Sequence, residues 1–187
     1  MRCFGDGVNH QMGVPADRES KWPGVGDGNR MHCMNDYKFY MRRAIELAAN
    51  VPDLPFGALI VDRDSGKILS EGWNKSSINP TFHGEIDAIN QLVLSNPGID
   101  GSKLVLYSTA EPCPMCQGAI LWSGIEMVVF GTSIRSLKKM GWRQIDISAE
   151  EVVRRSPAWK CTITSGVLEK ECDALFATAI SRRTFSK

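Results

Sequence analysis

Short apolar runs alternate with amphipathic stretches along most of this chain. Residues 56–62 (FGALIVD) are nearly all apolar, which is typical of a strand covered on both faces of a sheet. Asp64-Ser65-Gly66 follows as a turn, so the next segment is predicted to return as the second strand of a hairpin. Five strands are predicted, at residues 56–62, 67–74, 103–109, 126–130 and 160–163.

Apolar residues recur at helical spacing in the segments around these strands. Asn35 or Asp36 can cap a first helix, and His83 is predicted to begin a second. The predicted apolar face of the first helix consists of Phe39, Ala44, Ile45 and Ala48. Helices are predicted at residues 35–50, 83–95, 112–122, 134–140 and 167–183.

The alternation of strands and helices predicts the fold class. Such an order is typical of α/β proteins, in which a mainly parallel sheet carries helices on its faces. The segment between the fourth and fifth predicted strands, residues 131–159, is long enough for a crossover, so these two strands are expected to be parallel. We therefore predict a three-layer α/β/α sandwich with a five-stranded mixed sheet.

Residues 1–33 differ from the rest of the chain in composition. They contain six of the 17 glycines, two prolines and few branched aliphatic residues, so they cannot bury much apolar surface. The whole chain of 187 residues has about the length of one ordinary domain. We predict that residues 1–33 are a disordered extension and that residues 34–187 form one domain.

The net charge and the cysteine content of the chain indicate its cellular location and the classes of partner that it is expected to bind. The 22 Lys and Arg residues balance 21 Asp and Glu residues, so there is no overall attraction to nucleic acid, which still leaves room for a local basic patch. No apolar run approaches the roughly 20 residues that span a bilayer, and no signal peptide is apparent. Only Cys113 and Cys116 among the six cysteines are closely spaced. We therefore expect a cytoplasmic protein with reduced thiols and no membrane partner.

Two short motifs combine residues that bind transition metals and move protons. Residues 83–85 (HGE) and 112–116 (PCPMC) each begin a predicted helix that follows a strand and a loop. Open α/β sheets build their sites at such helix starts, beside the carboxyl ends of strands. Cysteines three apart on a first helical turn point the same way, and the positive helix end favours their thiolates. Two thiolates together with one imidazole suit zinc.

The number of predicted ligands separates a catalytic from a structural zinc site. A structural site takes four protein ligands, whereas a catalytic one takes three and keeps a position for water. The sequence offers His83, Cys113 and Cys116, without a convincing fourth ligand. Glu85 is close enough to reach the water, whose pKa zinc lowers to about 7. The motifs therefore predict a hydrolytic site with one Zn²⁺ per chain and Glu85 moving protons.

Each motif taken alone has a simpler interpretation. His83 and Glu85 could form a surface pair, and the two cysteines could be a redox dithiol on a thioredoxin-like scaffold or part of a structural zinc site. A redox dithiol is expected after the first strand of its sheet, and it gives the HGE motif no function. Joint occurrence of the two motifs at two successive helix starts favours the hydrolytic site over all three alternatives.

From about residue 36 to its C-terminus, the chain resembles the cytidine deaminase-like superfamily of zinc deaminases. The resemblance rests on P-F-G-A-L-I-V at 55–61, G-W-N at 72–74, N-P-T-F-H-G-E-I at 79–86 and E-P-C-P-M-C-Q-G-A-I at 111–120. These motifs are most like those of the guanine deaminase and tRNA adenosine deaminase branch. The resemblance implies a homodimer with parallel fourth and fifth strands, and it assigns the metal to His83, Cys113 and Cys116 and the proton transfers to Glu85.

The resemblance also implies residues that contact the substrate. Asn74 is expected to hydrogen-bond the base or sugar, unless it only ends its strand as a turn residue. The backbone N–H of Gly84 is expected to face a carbonyl or ring acceptor. Trp142 is expected either to stack on the base or to pack in the interior. Glu111 is expected to be an architectural hydrogen-bonding group and not a catalyst.

The substrate is less strongly indicated than the reaction. Guanine deaminases of this branch carry an acidic residue shortly after Gly-Phe in the loop that follows strand four, where this chain has Gln144, and Asp146 comes two residues late. We expect hydrolytic deamination of a free nucleobase or nucleoside, with a guanine-type aminopurine as the first candidate and ammonia as a product. A tRNA-specific adenosine deaminase is the alternative indicated by residues 163–176 (ITSGVLEKECDALF). A cytosine-type deaminase is the alternative indicated by Gly84, since fungal-type cytosine deaminases share H-G-E.

Overall fold

The computed structural model describes residues 34–185 of the chain. In this part of the protein a five-stranded mixed sheet forms the middle layer. The predicted disorder of residues 1–33 lies outside this part. The elements are α1 (Met34–Ala48), β1 (Gly57–Asp62), β2 (Ile68–Trp73), α2 (Gly84–Ser95), β3 (Leu104–Ala110), α3 (Pro114–Trp122), β4 (Met127–Thr132), α4 (Ile134–Lys139), α5 (Ala149–Arg154), β5 (Thr162–Thr164) and α6 (Glu169–Phe185), with one 3₁₀ turn at Gly101–Lys103.

The strands lie in the order β2-β1-β3-β4-β5. β1 pairs antiparallel with both β2 and β3, whereas β3, β4 and β5 are parallel. The predicted fold, a three-layer sandwich with parallel fourth and fifth strands, is therefore confirmed. No helix within residues 34–185 is long and apolar enough to cross a membrane.

Both faces of the sheet are buried, which explains the nearly continuous apolar runs in its central strands. Successive side chains of a strand point to opposite faces, so β1 contributes to two cores. Leu59 and Val61 pack with α1 and α6 on one face. Ala58 and Ile60 pack with α2 and α3 on the other.

Two details of the helices differ from the predictions. Phe39 is 53% exposed, and the buried positions of α1 are Tyr40, Met41, Ala44, Leu47 and Ala48. These positions follow the i, i+3/i+4 spacing of one helical face, to which Phe39 does not belong, so helical periodicity outweighs the size of the Phe39 ring. The short helix α5 was not predicted, because its apolar residues are few. Its N-terminus is nevertheless marked by Ser148, whose hydroxyl accepts a hydrogen bond from the Glu151 N–H at 3.1 Å.

The strand directions bring four connections to one edge of the sheet. Residues that follow β3 and β4 lie together because the two strands are parallel. Since β1 runs antiparallel to β3, the residues before β1 lie at the same edge, together with those after β2. Residues 56, 74, 111 and 133 therefore surround one region, and the helices α2 and α3 begin beside it.

Candidate metal centre and active-site pocket

His83 and Cys113 occupy equivalent positions at the starts of two helices. His83 is the N-cap residue of α2, with φ −72° and ψ 164°, and Cys113 is the N-cap residue of α3, with φ −64° and ψ 165°. An N-cap side chain commonly accepts a hydrogen bond from its own helix. Neither of these side chains does so, which leaves both available to bind a ligand beyond the helix.

The three predicted metal ligands converge on one point. The His83 Nδ1 atom lies 3.6 Å from the Cys113 sulfur and 3.5 Å from the Cys116 sulfur, and the two sulfurs are 3.6 Å apart. Tetrahedral zinc, with bonds of about 2.3 Å to sulfur and about 2.0 Å to nitrogen, separates its donors by roughly 3.5–3.8 Å. The donor triangle therefore fits zinc without rearrangement.

Within residues 34–185, this potential metal site contains three ligands and no fourth. A set of two thiolates and one imidazole with a free corner is the pattern of a catalytic site. The hydrogen bond with Cys116, followed by that with His83, lowers the pKa of the Cys113 thiol to about 4. A thiolate at this position supplies the negative charge that a divalent cation requires.

Glu85 lies in the first turn of α2 with only 3% of its surface exposed. Its Oε1 atom accepts a hydrogen bond from the Ser108 hydroxyl on β3 at 3.1 Å. Burial raises the pKa of the Glu85 carboxyl, and the nearby charge of Cys113 raises it further. A raised pKa brings a carboxyl group closer to the range in which it can both give and take protons near neutrality.

Asn74 directly follows β2, and its side chain lies in the same region. Its backbone N–H donates to the Phe56 carbonyl at 2.9 Å, and its Oδ1 atom accepts from the Ser76 N–H and hydroxyl at 3.0 and 2.7 Å. The side chain therefore does form the turn that the sequence allowed. In the described part of the chain its amide NH₂ group has no acceptor, so this group remains available to a ligand.

These groups line one cavity of about 590 Å³, within the range of small-molecule sites. Its lining includes His83, Cys113, Glu85, Asn74 and Trp142. Further lining residues are Leu54, Phe56, Ser76, Glu111, Gly141, Arg143, Gln144, Ile145 and Arg183. The cavity thus places a carboxylate, a free amide and a potential metal site around one ligand-sized space.

A family model for the cytidine and deoxycytidylate deaminase zinc-binding region matches residues 34–132. The chain belongs to this deaminase family. The tRNA-specific adenosine deaminase of Haemophilus influenzae is 36% identical over 152 residues, 79% of this chain and 84% of the relative. A probable cytosine deaminase of Schizosaccharomyces pombe is 36% identical over 104 residues, 54% of this chain and 63% of the relative.

A solved structure shares the fold of this deaminase. The guanine deaminase from Nitrosomonas europaea superposes with a TM-score of 0.65 at 25% identity, over 77% of this chain and 84% of the other. The predicted enzyme class, hydrolytic deamination, and the predicted zinc cofactor are confirmed by the family. Three different substrates occur in the names of these relatives, so the family does not select one.

Gly84, the first residue of α2 in this deaminase, leaves no space for a side chain. A Cβ atom at Gly84 would lie 2.8 Å from the Phe56 carbonyl oxygen, closer than carbon and oxygen normally approach. As the first helical residue, Gly84 has a backbone N–H that is outside the intrahelical hydrogen-bond ladder. The backbone at the start of α2 therefore lies directly against the segment that enters β1.

Trp142 of the deaminase borders the cavity but is only 7% exposed. Its indole N–H donates to the Phe176 carbonyl at 3.3 Å, and the rings of Phe56 and Phe176 lie nearly perpendicular to it at 5.4 and 5.6 Å. The Arg183 guanidinium lies 4.3 Å from the centre of its ring. Trp142 is therefore packed among Phe56, Phe176 and Arg183 while still bordering the cavity.

The segment between α4 and α5 places Gln144 in the cavity lining and Asp146 outside it. Asp146 forms an ion pair with Lys138 and is not among the lining residues. Among residues 141–145, the cavity is therefore lined by the guanidinium of Arg143 and the amide of Gln144, and by no carboxylate.

Sequence reasoning missed two polar residues that support the site. Ser108, which holds Glu85, is a polar residue in an apolar strand, and that interruption was the available signal. Asp87 accepts hydrogen bonds from the Trp73 N–H at 3.2 Å and from the Lys75 ammonium at 2.8 Å, on either side of Asn74. Its position in the first turn of α2 gave no sign of this contact.

Proposed function

We propose that this deaminase acts on an aminopurine, as the free base or the nucleoside, with guanine as the first candidate. The observation that carries the proposal is that the buried carboxylate of Glu85 lies in the same cavity as the potential metal site of His83, Cys113 and Cys116. The reaction replaces the ring amino group by oxygen, consumes one water and releases ammonia.

His83, Cys113 and Cys116 would hold one Zn²⁺. When bound, zinc lowers the pKa of a coordinated water to about 7 and so supplies a nucleophile at neutral pH. The Glu85 carboxylate takes one proton from the attacking water and delivers it to the ring nitrogen next to the amino-bearing carbon. It then takes the second proton, from the hydroxyl group that the water has added to that carbon, and gives it to the amine, which leaves as ammonia while the C=O bond forms. The hydrogen bond from Ser108 fixes one oxygen of Glu85 and leaves the other for these transfers.

Four groups would contact the base. The free NH₂ group of Asn74 can donate to a ring or carbonyl acceptor, and the N–H of Gly84 can face a carbonyl oxygen. Trp142 would form part of the wall. Gln144 lines the cavity, and its amide can both donate to and accept from a purine edge. It replaces the acidic residue of guanine deaminases in this branch, so it supports an aminopurine without distinguishing guanine from the others.

A second candidate is a tRNA-specific adenosine deaminase, and a specific observation favours it. Arg143 and Arg183 border the cavity, and guanidinium groups are well suited to bind phosphate. The similarity to the Haemophilus influenzae relative also supports tRNA as a partner. The net charge of +1 weighs against it, because phosphate contacts dominate binding to nucleic acid.

We also propose that the protein is a homodimer, with α3 in the interface. The outer face of α3 carries Met115, Gly118, Ala119 and Trp122 at helical spacing. Trp122 is 79% exposed and packs edge-on against Trp159, with ring centres 4.9 Å apart. An apolar stripe with small residues at its centre suits close helix packing.

We further propose a cytoplasmic location, which the free thiols of Cys113, Cys116, Cys161 and Cys172 support.

A panel of substrates tests the proposed function. Ammonia release is measured from guanine, guanosine, adenine, adenosine, cytosine and cytidine, with the Glu85→Ala variant as the blank. Turnover of guanine or guanosine well above the other compounds supports the proposal. Inactivity on the panel together with inosine formation in tRNA would establish the second candidate, and a preference for cytosine would overturn both.

A further inference from the structure

The carboxylate of Glu111 joins three segments around the cavity. Glu111 follows β3 and precedes the metal-site residue Cys113 by two positions. Its Oε2 atom accepts from the Ile134 N–H at 2.7 Å, and its Oε1 atom accepts from the Ala149 N–H at 2.8 Å. Ile134 and Ala149 are the first residues of α4 and α5, whose opening N–H groups have no acceptor within their own helices.

The segment between these two helices is one wall of the cavity. Residues 141–145 all belong to its lining. Its first part is held by Trp142, whose backbone N–H donates to the Leu137 carbonyl at 3.0 Å and whose indole donates to Phe176 at 3.3 Å. The later part, residues 143–148, is largely exposed and is tied to the β3 end of the sheet through the bond between Ala149 and Glu111.

We infer that Glu111 is a positioning residue. It fixes residues 141–145, which form one wall of the cavity, relative to the segment that runs from the end of β3 to Cys113. Both of its oxygens already accept backbone N–H groups, so it is not a proton carrier. The inference rests on the proposed function for its effect on substrate, since residues 141–145 would contact the base. Its effect on the wall itself is independent of which base is bound.

Two variants test this inference. Glu111→Gln keeps the shape but offers one oxygen, so one of the two N–H groups faces an amide NH₂. Glu111→Asp keeps the charge but is too short to reach both N–H groups. We expect hydrogen–deuterium exchange of residues 141–149 to become roughly tenfold faster in both variants. With the best substrate of the panel, KM should rise by roughly tenfold while kcat changes less than about threefold, and zinc content should stay constant.

Ser148→Ala is the matched control. It removes the hydrogen bond that the Ser148 hydroxyl accepts from the Glu151 N–H at the start of α5. It leaves the hydrogen bonds of Glu111 with the Ile134 and Ala149 N–H groups in place. We expect a lower melting temperature with an unchanged KM. If Glu111→Gln also lowers only the melting temperature, or leaves exchange at residues 141–149 unchanged, the inference is overturned. If the wild-type protein deaminates none of the panel compounds, the proposed function fails, and the exchange measurement alone then decides whether Glu111 holds the wall.

Discussion

The ammonium group of Lys75 lies 2.8 Å from the carboxylate of Asp87, in an ion pair that joins the end of β2 to the first turn of α2. The Lys75 side chain is 25% exposed and that of Asp87 is 5% exposed. The same carboxylate accepts the Trp73 N–H. Asp87 thus holds the residues on both sides of Asn74, whose amide faces the cavity.

We expect Asp87→Ala to destabilise the fold by about 2 kcal/mol, because it removes two hydrogen bonds and leaves a largely buried ammonium without its partner. It should also raise KM, since Asn74 loses its support. Denaturant unfolding and steady-state kinetics measure the two effects. Asp64→Ala is the control, because the pair of Asp64 and Lys103 is more than half exposed on each side. That control should cost less than about 0.5 kcal/mol. Equal effects of the two variants would contradict the assigned role of Asp87.

Glu85→Gln should abolish turnover while the protein stays folded and retains zinc. The amide cannot carry protons, and loss of a general acid–base group lowers kcat by roughly 10²–10⁴. Ammonia release and metal analysis on the same sample separate the two properties. Glu150→Gln, at an exposed position of α5, should behave as the wild type. Turnover in Glu85→Gln within tenfold of wild type would show that another group moves the protons.

Cys113→Ala and Cys116→Ala should each lose the bound zinc, because two remaining donors do not hold a divalent ion at a catalytic affinity. Mass spectrometry of the metal content should give one zinc per wild-type chain and much less in these variants. Cys161→Ala, which removes a thiol outside the cluster, should retain zinc fully. A strong chelator should lower the melting temperature of the wild type, since zinc binds only the folded donor set. A wild-type protein without zinc, or a variant of either ligand with full zinc, would contradict the ligand assignment.

Gly84→Ala should destabilise the protein by about 1–3 kcal/mol. The added methyl group would lie 2.8 Å from the Phe56 carbonyl oxygen, so the segment before β1 must move. Asn90→Ala, at an exposed position of the same helix, should be neutral or slightly stabilising because alanine has the higher helix propensity. Chemical denaturation of both variants tests this. A Gly84→Ala protein as stable as wild type would mean that Phe56 adjusts at little cost.

Trp122→Arg should convert the proposed homodimer into a monomer. The substitution places a charge on the apolar outer face of α3, where a second copy would pack. Size-exclusion chromatography with light scattering gives the mass directly. Ala177→Arg adds the same charge to an exposed position of α6, which packs on the opposite face of the sheet, and should leave the mass unchanged. A wild-type mass of one chain would end the dimer proposal.

The amino-acid sequence by itself determined the elements and the chemistry of this deaminase. Apolar periodicity located the strands and most helices to within a few residues, because neighbouring residues in the chain decide which side of an element is buried. The HGE and PCPMC motifs placed the three predicted metal donors at two helix starts, and these donor atoms do lie within 3.6 Å of one another.

Only the tertiary structure decided which distant groups support that site. Ser108 reaches Glu85 across 23 positions of the chain, and Glu111 reaches Ala149 across 38. Such contacts depend on strand register, for example the pairing of Ala58 with Ser108, and local periodicity carries no information about register between distant strands. The packing of Trp142 against Phe56 and Phe176 has the same cause, because these three residues come from segments that are far apart in the chain.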